Sequence, residues 1–486
     1  MINEEKKPLQ VLFASFEAEP FSKTGGLGDV AGSLPGYIAS RALDIRVVLP
    51  NLSIVPQQYK DKMVRIAEFE VPLGWRKQYC GLLQLRHKGV TYYFLDNEYY
   101  FKRAKVYGEM DDGERVAFFS KALLECIQHI PDFMPDVLHC NDWHAALAPV
   151  FLREHYRHLP GYDRMKTVFT IHNLKFQGIF PANMLGNVLG LHDTPAAHQL
   201  VEGDVINMMM GAVRYSDRLT TVSPSYADEI CTPYYGEKLD WLFNQRREVL
   251  SGILNGIDYK KFDPMADPAI PIPFDAESLD KKRENKMLLQ QELGLEVDAN
   301  IPMFVVISRL TEQKGLDLIN YNLPEIVNRR MQLVVLGVGD KEYEEAFSWY
   351  ANQYPDKIAA RLLFDEPLSH RMYACADVLL MPSRFEPCGL AQMMAMRYGC
   401  MPLVRETGGL KDSVRPYNQY TGEGTGFSFA NYNAHELMNT IDLALTVWYE
   451  NPEHWTQLQK SAMAEDMSWH ASAKKYRALY RELVKE

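Results

Sequence analysis

The chain has 486 residues, 47% of them hydrophobic and 24% charged, so it is long enough for two domains and too apolar for a disordered protein. Its formal net charge of -11 repels polyphosphate backbones, which argues against a nucleic acid partner. The seven cysteines form no CxxC pair, which favours reduced thiols in the cytoplasm over disulfides or a zinc site, and no apolar stretch reaches the roughly 18 residues of a membrane helix.

Short apolar runs alternate with helical periodicity along the chain. The first series predicts buried parallel strands at residues 9–13, 45–49, 91–95, 137–139, 167–171 and 218–222, with a helix at 115–129. The second series predicts strands at residues 303–308, 331–336, 361–364, 378–381 and 401–404. A Pro-rich, strand-poor stretch at 261–274 separates the series, so we expect two doubly wound α/β domains with a ligand in the crevice between them.

The stretch FSKTGGLGDVAG, residues 21–32, places three glycines close to Lys23 after the first predicted strand. Its spacing fits neither the GxGxxG dinucleotide fingerprint nor the Gly-Lys-Ser/Thr ending of a P-loop. The stretch instead predicts a flexible loop whose backbone N–H groups and Lys23 approach an anion, followed by a helix at about residues 30–40. A purely structural glycine turn is the alternative.

Two polar clusters follow strands of the first series. In HCNDWHAALAP, four side chains are of metal-ligand types: His139, Cys140, Asp142 and His144. They straddle a strand-to-helix turn, which disfavours one tetrahedral site, so Asp142 is interpreted as an active-site carboxylate, with an N-cap as the alternative. In TIHNLKFQGIF, His172 and Asn173 end the next strand and are candidates for the same sheet edge.

Three further clusters follow strands of the second series. SRLTEQKGLDLI contains Arg309 and Lys314, two cations that can hold a diphosphate without a metal ion. MPSRFEPCGLAQMMAM places Glu386 in a strand-to-helix loop where Gly389 permits close approach, and LVRETGGLKDSV places Gly408 and Gly409 at a helix N-terminus. Each cluster alone is compatible with an ordinary loop, but three at strand ends of one domain indicate a binding site.

The motifs KTGGLGDV, HCNDWH, TIHN, ILNGID, SRLTEQKGLDL, SRFEPCGL and TGGLKD occur in the order seen in bacterial glycogen synthases and plant starch synthases. The sequence resembles this family from about residue 11 to residue 480. The resemblance implies the α/β GT-B fold, with Rossmann-like domains at 1–255 and 256–460 facing across a cleft and a terminal helix, 461–486, crossing back onto the first. It also implies glucose transfer from ADP-glucose to the non-reducing end of an α-1,4-glucan with retention of configuration, without a metal or another cofactor.

The resemblance assigns roles residue by residue. The implied catalytic residues are Asp142, His172, Arg309, Lys314 and Glu386. The first two would line the glucose pocket, the two cations would neutralise the leaving diphosphate, and Glu386 would support the sugar and its developing positive charge. The implied substrate-binding residues are Lys23, Gly25, Gly26, Asp29, Asn173, Asn255, Phe364, Cys388, Gly389, Leu390, Thr407, Gly408 and Gly409. Among these, Phe364 would stack on the adenine.

One position departs from the wider GT-B pattern. Met394 stands where many relatives outside this branch carry a second glutamate, eight positions after Glu386. This departure argues against sucrose-type and mannosyl relatives. Three alternatives remain open: a UDP-sugar-dependent GT-B transferase, a GT-B nucleotide-sugar epimerase, and a non-catalytic glucan-binding protein.

Overall fold

The computed structural model describes residues 7–485, which divide into two compact units. Unit 1 contains residues 7–222, 227–253 and 469–485, and unit 2 contains residues 223–226 and 254–468. Residues 1–6 and 486 of the predicted domain ranges lie outside the described part of the chain. No helix among the described residues is long and apolar enough to cross a membrane.

The strands fall into one series per unit. In unit 1 they are β1 (Leu9–Ala14), β2 (Leu43–Pro50), β3 (Val64–Leu73), β4 (Arg76–His87), β5 (Val90–Asp96), β6 (Val137–Asn141), β7 (Lys166–Ile171), β8 (Ile179–Pro181), β9 (Val201–Glu202), β10 (Val205–Asn207), β11 (Arg218–Thr221) and β12 (Leu250–Gly252). In unit 2 they are β13 (Met303–Ile307), β14 (Gln332–Leu336), β15 (Ile358–Arg361), β16 (Val378–Met381), β17 (Met401–Arg405) and β18 (Phe427–Phe429).

The helices alternate with these strands. They are α1 (Gly26–Ile38), α2 (Gln57–Lys60), α3 (Glu98–Phe101), α4 (Asp112–Ile127), α5 (Leu147–Phe151), α6 (Met184–Asn187), α7 (Ala197–Leu200), α8 (Met208–Tyr215), α9 (Pro224–Glu229), α10 (Asp240–Gln245), α11 (Leu279–Leu293), α12 (Leu316–Ile326), α13 (Lys341–Gln353), α14 (Glu366–Cys375), α15 (Ala391–Arg397), α16 (Gly408–Ser413), α17 (Ala434–Glu450), α18 (Pro452–Ala464) and α19 (Trp469–Lys485). Single turns of 3₁₀-helix lie at Trp143–Ala145, Arg247–Val249 and Glu312–Lys314.

Each unit is built on a doubly wound sheet. The main sheet of unit 1 has the order β12-β11-β7-β6-β1-β2-β5-β4-β3, and only β3, β4 and β5 pair in antiparallel fashion along its last part. The sheet of unit 2 has the order β15-β14-β13-β16-β17-β18 and is parallel throughout. Strands such as β6 and β14 are buried along their whole length, because helices cover both faces of a parallel sheet.

One predicted strand is wrong. The sequence predicted a strand at residues 361–364, but β15 ends at Arg361 where the prediction begins. Leu363 and Phe364 follow in a loop and are 44% and 85% exposed, so their apolar character does not reflect burial in the sheet. The other predicted parallel strands are confirmed within one to two residues at each end.

The antiparallel hairpin β3–β4 was not predicted. More and less exposed residues alternate on both sides of its turn, at residues 68–73 and 76–79, unlike the continuous apolar runs of the parallel strands. Gly74–Trp75 forms the two-residue connection. Gly-X is a usual pair for such a turn, so this dipeptide between alternating segments is the signal that could have identified the hairpin. At Gly74, φ is +58°, and a Cβ atom would lie 2.4 Å from the carbonyl oxygen of Asn187.

Helix α1 begins earlier than predicted. The sequence predicted a loop through Gly28 and a helix from about residue 30, whereas α1 begins at Gly26 and includes Gly28 in its first turn. A Cβ atom at Gly32 would lie 2.3 Å from the carbonyl oxygen of Glu19, so the glycine allows the helix to pack directly on the preceding chain. The C-terminal helix α19 packs on α1, where Arg477 Nε donates to the carbonyl oxygen of Ile38 at 3.0 Å.

Candidate functional site

Asp142 follows β6 directly, at the carboxyl edge of the sheet in unit 1. Its backbone has φ +55° and ψ 178°, a conformation that L residues rarely adopt and that costs free energy where it occurs. The carboxylate accepts hydrogen bonds from the backbone N–H groups of His172 at 2.7 Å and Asn173 at 3.4 Å. Burial raises the pKa of Asp142 to about 7, and the two backbone hydrogen bonds only partly oppose this shift. The carboxylate therefore holds the end of β7 against the end of β6.

His172 is a neutral hydrogen-bonding group in this arrangement. Its Nε2 lies 3.0 Å from Asn141 Oδ1, and Asn141 Nδ2 donates to the carbonyl oxygen of Ala14 at 3.0 Å. The second bond fixes the orientation of the Asn141 amide, so Oδ1 accepts and Nε2 carries the proton. Burial lowers the pKa of His172 to about 3, which keeps the ring uncharged at neutral pH. The Nδ1 atom is then an acceptor.

The neighbouring histidines, His139 and His144, make contacts within the core of unit 1. His139 places Nδ1 2.6 Å from the hydroxyl of Tyr480 and Nε2 2.6 Å from Thr170 Oγ1, so both ring nitrogens are occupied. His144 is buried and stacks on the rings of Phe16 and Tyr107. Within residues 7–485 no group of three or more His, Cys, Asp or Glu side chains is arranged to hold a metal ion. Unlike His139 and His144, Asp142 and His172 lie at the sheet edge, where the Asp142 carboxylate is bonded to the His172 backbone N–H.

Lys23 forms ion pairs beside the N-terminus of α1. Its Nζ lies 2.6 Å from Asp29 Oδ1 and 3.3 Å from Glu19 Oε2, and about a third of the side chain is exposed. Burial raises the pKa of Asp29 to about 6 although the charge of Lys23 lowers it. At Gly25 and Gly26 a Cβ atom would meet nothing within 4 Å, so packing within the protein does not require glycine at either position.

Glu17 fixes the loop that carries Lys23 and was not identified from the sequence. Glu17 is 2% exposed, and its carboxylate accepts from Thr24 Oγ1 at 2.7 Å and also from the Thr24 backbone N–H and the Tyr107 hydroxyl. A buried carboxylate needs such donors to offset its desolvation. An acidic residue that interrupts the apolar run before KTGG is the signal, but its partner Tyr107 lies 90 residues away along the chain.

Lys314 and Glu386 form a partly buried ion pair at the carboxyl edge of the unit 2 sheet. Lys314 Nζ lies 2.6 Å from Glu386 Oε2, their side chains are 18% and 8% exposed, and Ser383 Oγ donates to the same oxygen at 3.1 Å. Gly315 has φ +73°, and a Cβ atom there would lie 2.1 Å from the carbonyl oxygen of Pro382. The glycine thus lets the turn that carries Lys314 contact the chain that leads to Glu386.

The loops around Glu386 and Gly408 are in direct backbone contact. Gly409 N–H donates to the carbonyl oxygen of Glu386 at 3.1 Å, and a Cβ atom at Gly408 would lie 2.1 Å from that oxygen. A Cβ atom at Gly409 would lie 2.1 Å from the carbonyl oxygen of Cys388. Gly408 also has φ +45°, so both packing and conformation require glycine there. The structure therefore brings together the clusters that contain Lys314, Glu386 and Thr407–Gly409.

The remaining predicted residues of unit 2 are less closely connected to this ion pair. Asn255 is buried beside Cys388, and its side-chain oxygen has no hydrogen-bond partner among the described residues. Burial raises the pKa of the Cys388 thiol to about 12, so it is not a thiolate at neutral pH. Arg309 is exposed just after β13. Phe364 is 85% exposed after β15, two strands from β13, and is not brought next to the ion pair.

Two family models match the chain. The starch synthase catalytic domain matches residues 10–245, and glycosyl transferases group 1 matches residues 293–462. The chain is 50% identical to a glycogen synthase of Anoxybacillus flavithermus and 49% identical to one of Geobacillus thermodenitrificans, and each alignment covers 98% of both proteins.

Solved structures show the same fold. The catalytic domain of starch synthase IV from Arabidopsis thaliana, solved with ADP and acarbose, matches with a TM-score of 0.89 and 32% identity over 99% of this chain and 100% of that one. Sucrose-phosphate synthase from Thermosynechococcus elongatus matches with a TM-score of 0.61 at 16% identity, over 98% of this chain and 99% of that one, which is a likeness of fold alone. Both are GT-B glycosyltransferases, so the predicted α/β fold class is confirmed.

Proposed function

The chain belongs to the glycogen and starch synthase family of glucosyltransferases, and we propose that it transfers glucose from ADP-glucose to the non-reducing end of an α-1,4-glucan. The identity of about half of all residues to glycogen synthases supports the reaction, and the ADP and acarbose bound to the starch synthase IV domain support the substrates. The structural observation that carries the proposal is the partly buried Lys314–Glu386 pair, with the Gly408–Gly409 turn packed against the backbone around Glu386.

We assign the diphosphate to the cations of unit 2. Departure of ADP from glucose builds negative charge on the diphosphate, and Lys314 is held in place before that charge appears. Arg309 is exposed in the same segment after β13 and offers a planar set of N–H donors suited to phosphate oxygens. These two side chains supply the charge that a metal ion supplies in other nucleotide-sugar enzymes, so we propose a reaction without a metal or a further cofactor.

We assign residues of each unit, taken separately, to contacts with the transferred glucose. Glu386 carries a negative charge that stabilises oxocarbenium character at the anomeric carbon and accepts hydrogen bonds from sugar hydroxyls. The backbone N–H groups of residues 388–390 and the neutral ring of His172 offer a donor set and an acceptor for other hydroxyls. Asp142 holds His172 in place through the backbone, and Lys23 is proposed to contact the donor's sugar-phosphate region.

We propose that the reaction retains the α configuration by attack on the same face that the phosphate leaves. The acceptor's 4-hydroxyl oxygen bonds to the anomeric carbon while the bond from that carbon to the phosphate oxygen breaks, and the hydroxyl proton passes to that phosphate oxygen. A covalent glycosyl intermediate requires a carboxylate free to attack. The Asp142 carboxylate already accepts two backbone N–H groups, and Glu386 is already bound to Lys314 and Ser383, which favours the direct route.

The cysteines support a cytoplasmic location for this reaction, which we also propose. All seven occur as free thiols, and six of them are buried. Cysteines that stay unpaired are typical of a reducing compartment. The intracellular nucleotide sugar that the proposal requires is found in such a compartment.

An assay with two donors and a glucan primer tests the proposal. The purified protein is incubated with ADP-glucose or UDP-glucose and glycogen, and incorporated glucose is then released as maltose with β-amylase, which cleaves only α-1,4 linkages from the non-reducing end. We expect incorporation from ADP-glucose to exceed that from UDP-glucose, with an α-anomeric proton signal in the product. Preference for UDP-glucose contradicts the donor assignment, and conversion of the nucleotide sugar without any glucan contradicts the transferase.

A further inference from the structure

The side chain of Asn141 joins the ends of three neighbouring strands in unit 1. Asn141 is the last residue of β6, which lies between β1 and β7, and it is 1% exposed. Its Nδ2 donates to the carbonyl oxygen of Ala14, the last residue of β1, and its Oδ1 accepts from Nε2 of His172, directly after β7, each at 3.0 Å. We propose that Asn141 is a positioning residue, which fixes the His172 ring so that Nδ1 presents its lone pair to the transferred sugar.

An amide suits this position because its two neighbours need opposite partners. The carbonyl oxygen of Ala14 can only accept, so the amide nitrogen of Asn141 turns toward it. The amide oxygen then faces His172 and accepts the proton of Nε2. A flipped amide would set its oxygen against the Ala14 oxygen in a buried place, where neither would have the hydrogen bond that they lose. The backbone at the end of β1 thus selects the tautomer of a ring that follows β7.

The amide also fixes the ring without adding a charge. A carboxylate in this place would favour the imidazolium form, as it does in sites where a histidine acts as a base. The Asp142 carboxylate accepts from the backbone N–H of His172, and the nearby rings of His139 and His144 are uncharged, because burial lowers the pKa of each to about 3. Burial lowers the pKa of His172 to about 3 as well. The His172 ring is therefore a dipole and not a cation.

The direction of this dipole matters in the transition state. A sugar hydroxyl both donates and accepts hydrogen bonds, so it can bind either tautomer of the ring before the reaction. As the diphosphate leaves, positive charge develops on the sugar. A hydroxyl that donates to the Nδ1 lone pair gains electron density and stabilises that charge, whereas a hydroxyl that accepts from an Nδ1–H group loses electron density. Asn141 should therefore affect kcat more than the KM for the donor, because the difference arises in the transition state.

Nitrogen NMR on the full-length protein tests the tautomer. This inference rests on the proposed function for its ligand, but the tautomer can be measured without any substrate. The protein is labelled with ¹⁵N-histidine, and the signals of His172 are identified by their loss in His172→Gln. We expect the proton on Nε2 in the wild type and a measurable population with the proton on Nδ1 in Asn141→Leu, which keeps the volume and removes both polar groups. A wild type with the proton on Nδ1, or no change in Asn141→Leu, overturns the inference.

The kinetics of Asn141→Asp with ADP-glucose and glycogen test the effect on catalysis. When protonated, the new carboxyl group donates to Ala14 and accepts from His172 as the amide does, and when ionised it cannot donate to Ala14 and favours the imidazolium. With a pKa near that of the buried Asp142, about 7, the ratio of its kcat to the wild-type kcat should rise about tenfold from about pH 8 to about pH 6.

Asn141→Leu has no such group to protonate. Its kcat should be about 10- to 100-fold below that of the wild type at every pH, the range seen for partners that orient metal-bound histidines. The KM for ADP-glucose should change little in both variants. A kcat ratio of Asn141→Asp that does not vary with pH overturns the inference, and so does a loss that appears in the donor KM and not in kcat.

Asn97→Asp is the matched control, because the Asn97 amide makes the same kind of bridge elsewhere in unit 1. Asn97 is 5% exposed, its Nδ2 donates to the carbonyl oxygen of Tyr79 at 2.7 Å, and its Oδ1 accepts from Tyr100 N–H at 3.0 Å. This variant should keep the wild-type tautomer of His172 and the wild-type pH dependence of kcat. The pH-dependent ratio expected of Asn141→Asp, if found in Asn97→Asp too, overturns the inference. Failure of the proposed function is a different result: the wild type transfers no glucose, while the His172 tautomer still depends on Asn141.

Discussion

Replacing Lys314 with methionine tests the central assignment, that its charge acts on the leaving diphosphate. Methionine keeps much of the side-chain volume and removes the charge. Lys314 Nζ lies 2.6 Å from Glu386 Oε2, and the two side chains are only 18% and 8% exposed, so the charge is fixed in a largely dehydrated place. Removal of one fixed donor from such a site typically costs about 3–4 kcal/mol of transition-state stabilisation. We therefore expect Lys314→Met to lower kcat by roughly 100- to 1,000-fold.

The same change also affects stability, and this effect has to be separated from catalysis. Glu386 is buried, and without Lys314 its carboxylate keeps the Ser383 hydroxyl as its one side-chain donor among the described residues. Breaking a buried ion pair by removing one partner costs about 3–5 kcal/mol, because the other charge stays buried. The double variant Lys314→Met/Glu386→Gln removes both charges. We expect it to recover most of the lost stability of unit 2 and none of the lost kcat.

The assay measures kcat with ADP-glucose and glycogen and the thermal midpoint of each variant. Lys460→Met is the control, since Lys460 in the same unit pairs with Glu277 at 2.9 Å but is 44% exposed. Exposed pairs contribute at most about 1 kcal/mol, so its kcat and midpoint should stay near the wild-type values. A kcat of Lys314→Met within threefold of wild type refutes the reasoning. A double variant that is more active than Lys314→Met does so too, because the loss would then come from the unpaired charge of Glu386 and not from the missing cation.

Three other changes test single residues of the site. Glu386→Gln keeps the size but removes the charge, so kcat should fall about 100-fold with little change in the donor KM; a rise in KM alone contradicts the electrostatic role. The folded pKa of Asp142, about 7, exceeds the ordinary value of 3.8, so its contribution to stability is complete below about pH 4 and is lost as pH rises through about 7. Asp142→Asn should remove that decline from chemical unfolding curves measured across this window, and an unchanged decline contradicts the shift. In Gly26→Ala the added methyl group has no protein atom within 4 Å, so the thermal midpoint should not fall. The kcat/KM for ADP-glucose should fall about tenfold if the backbone contacts the donor, and unchanged kinetics refute that contact.

The fold was predictable from the sequence to the extent that burial shows in local patterns. Continuous apolar runs identify parallel strands covered on both faces, as in β6 and β14. The hairpin β3–β4 was missed because its strands alternate, and the strand at 361–364 was misplaced because an apolar loop looks like a buried strand. The order of the strands could not be read from the sequence. The strand β1 lies between β2 and β6, and its paired residues in β6 are more than 120 positions away along the chain.

The candidate site was predictable as a set of loops but not as a set of contacts. Turn residues and the carboxyl-edge rule identify where Lys314 and Glu386 lie, because these signals are local. The ion pair itself joins residues 72 positions apart, and the bonds of Glu17 to Thr24 and Tyr107 join residues up to 90 positions apart. Such contacts depend on how the strands are ordered, which no local pattern records.

The glycines of the two units differ in whether packing and backbone conformation require them. Gly315, Gly408 and Gly409 would each place a Cβ atom 2.1 Å from a neighbouring carbonyl oxygen, so packing within unit 2 alone accounts for them. Gly25 and Gly26 meet nothing within 4 Å, and neither has a left-handed φ, so packing and conformation leave them unexplained. Because no protein atom excludes a side chain at these two positions, a ligand that lies close to the backbone is what would exclude it. The glycine-rich stretch beside Lys23 therefore supports a donor contact in unit 1, whereas the unit 2 glycines hold Lys314 and Glu386 in position.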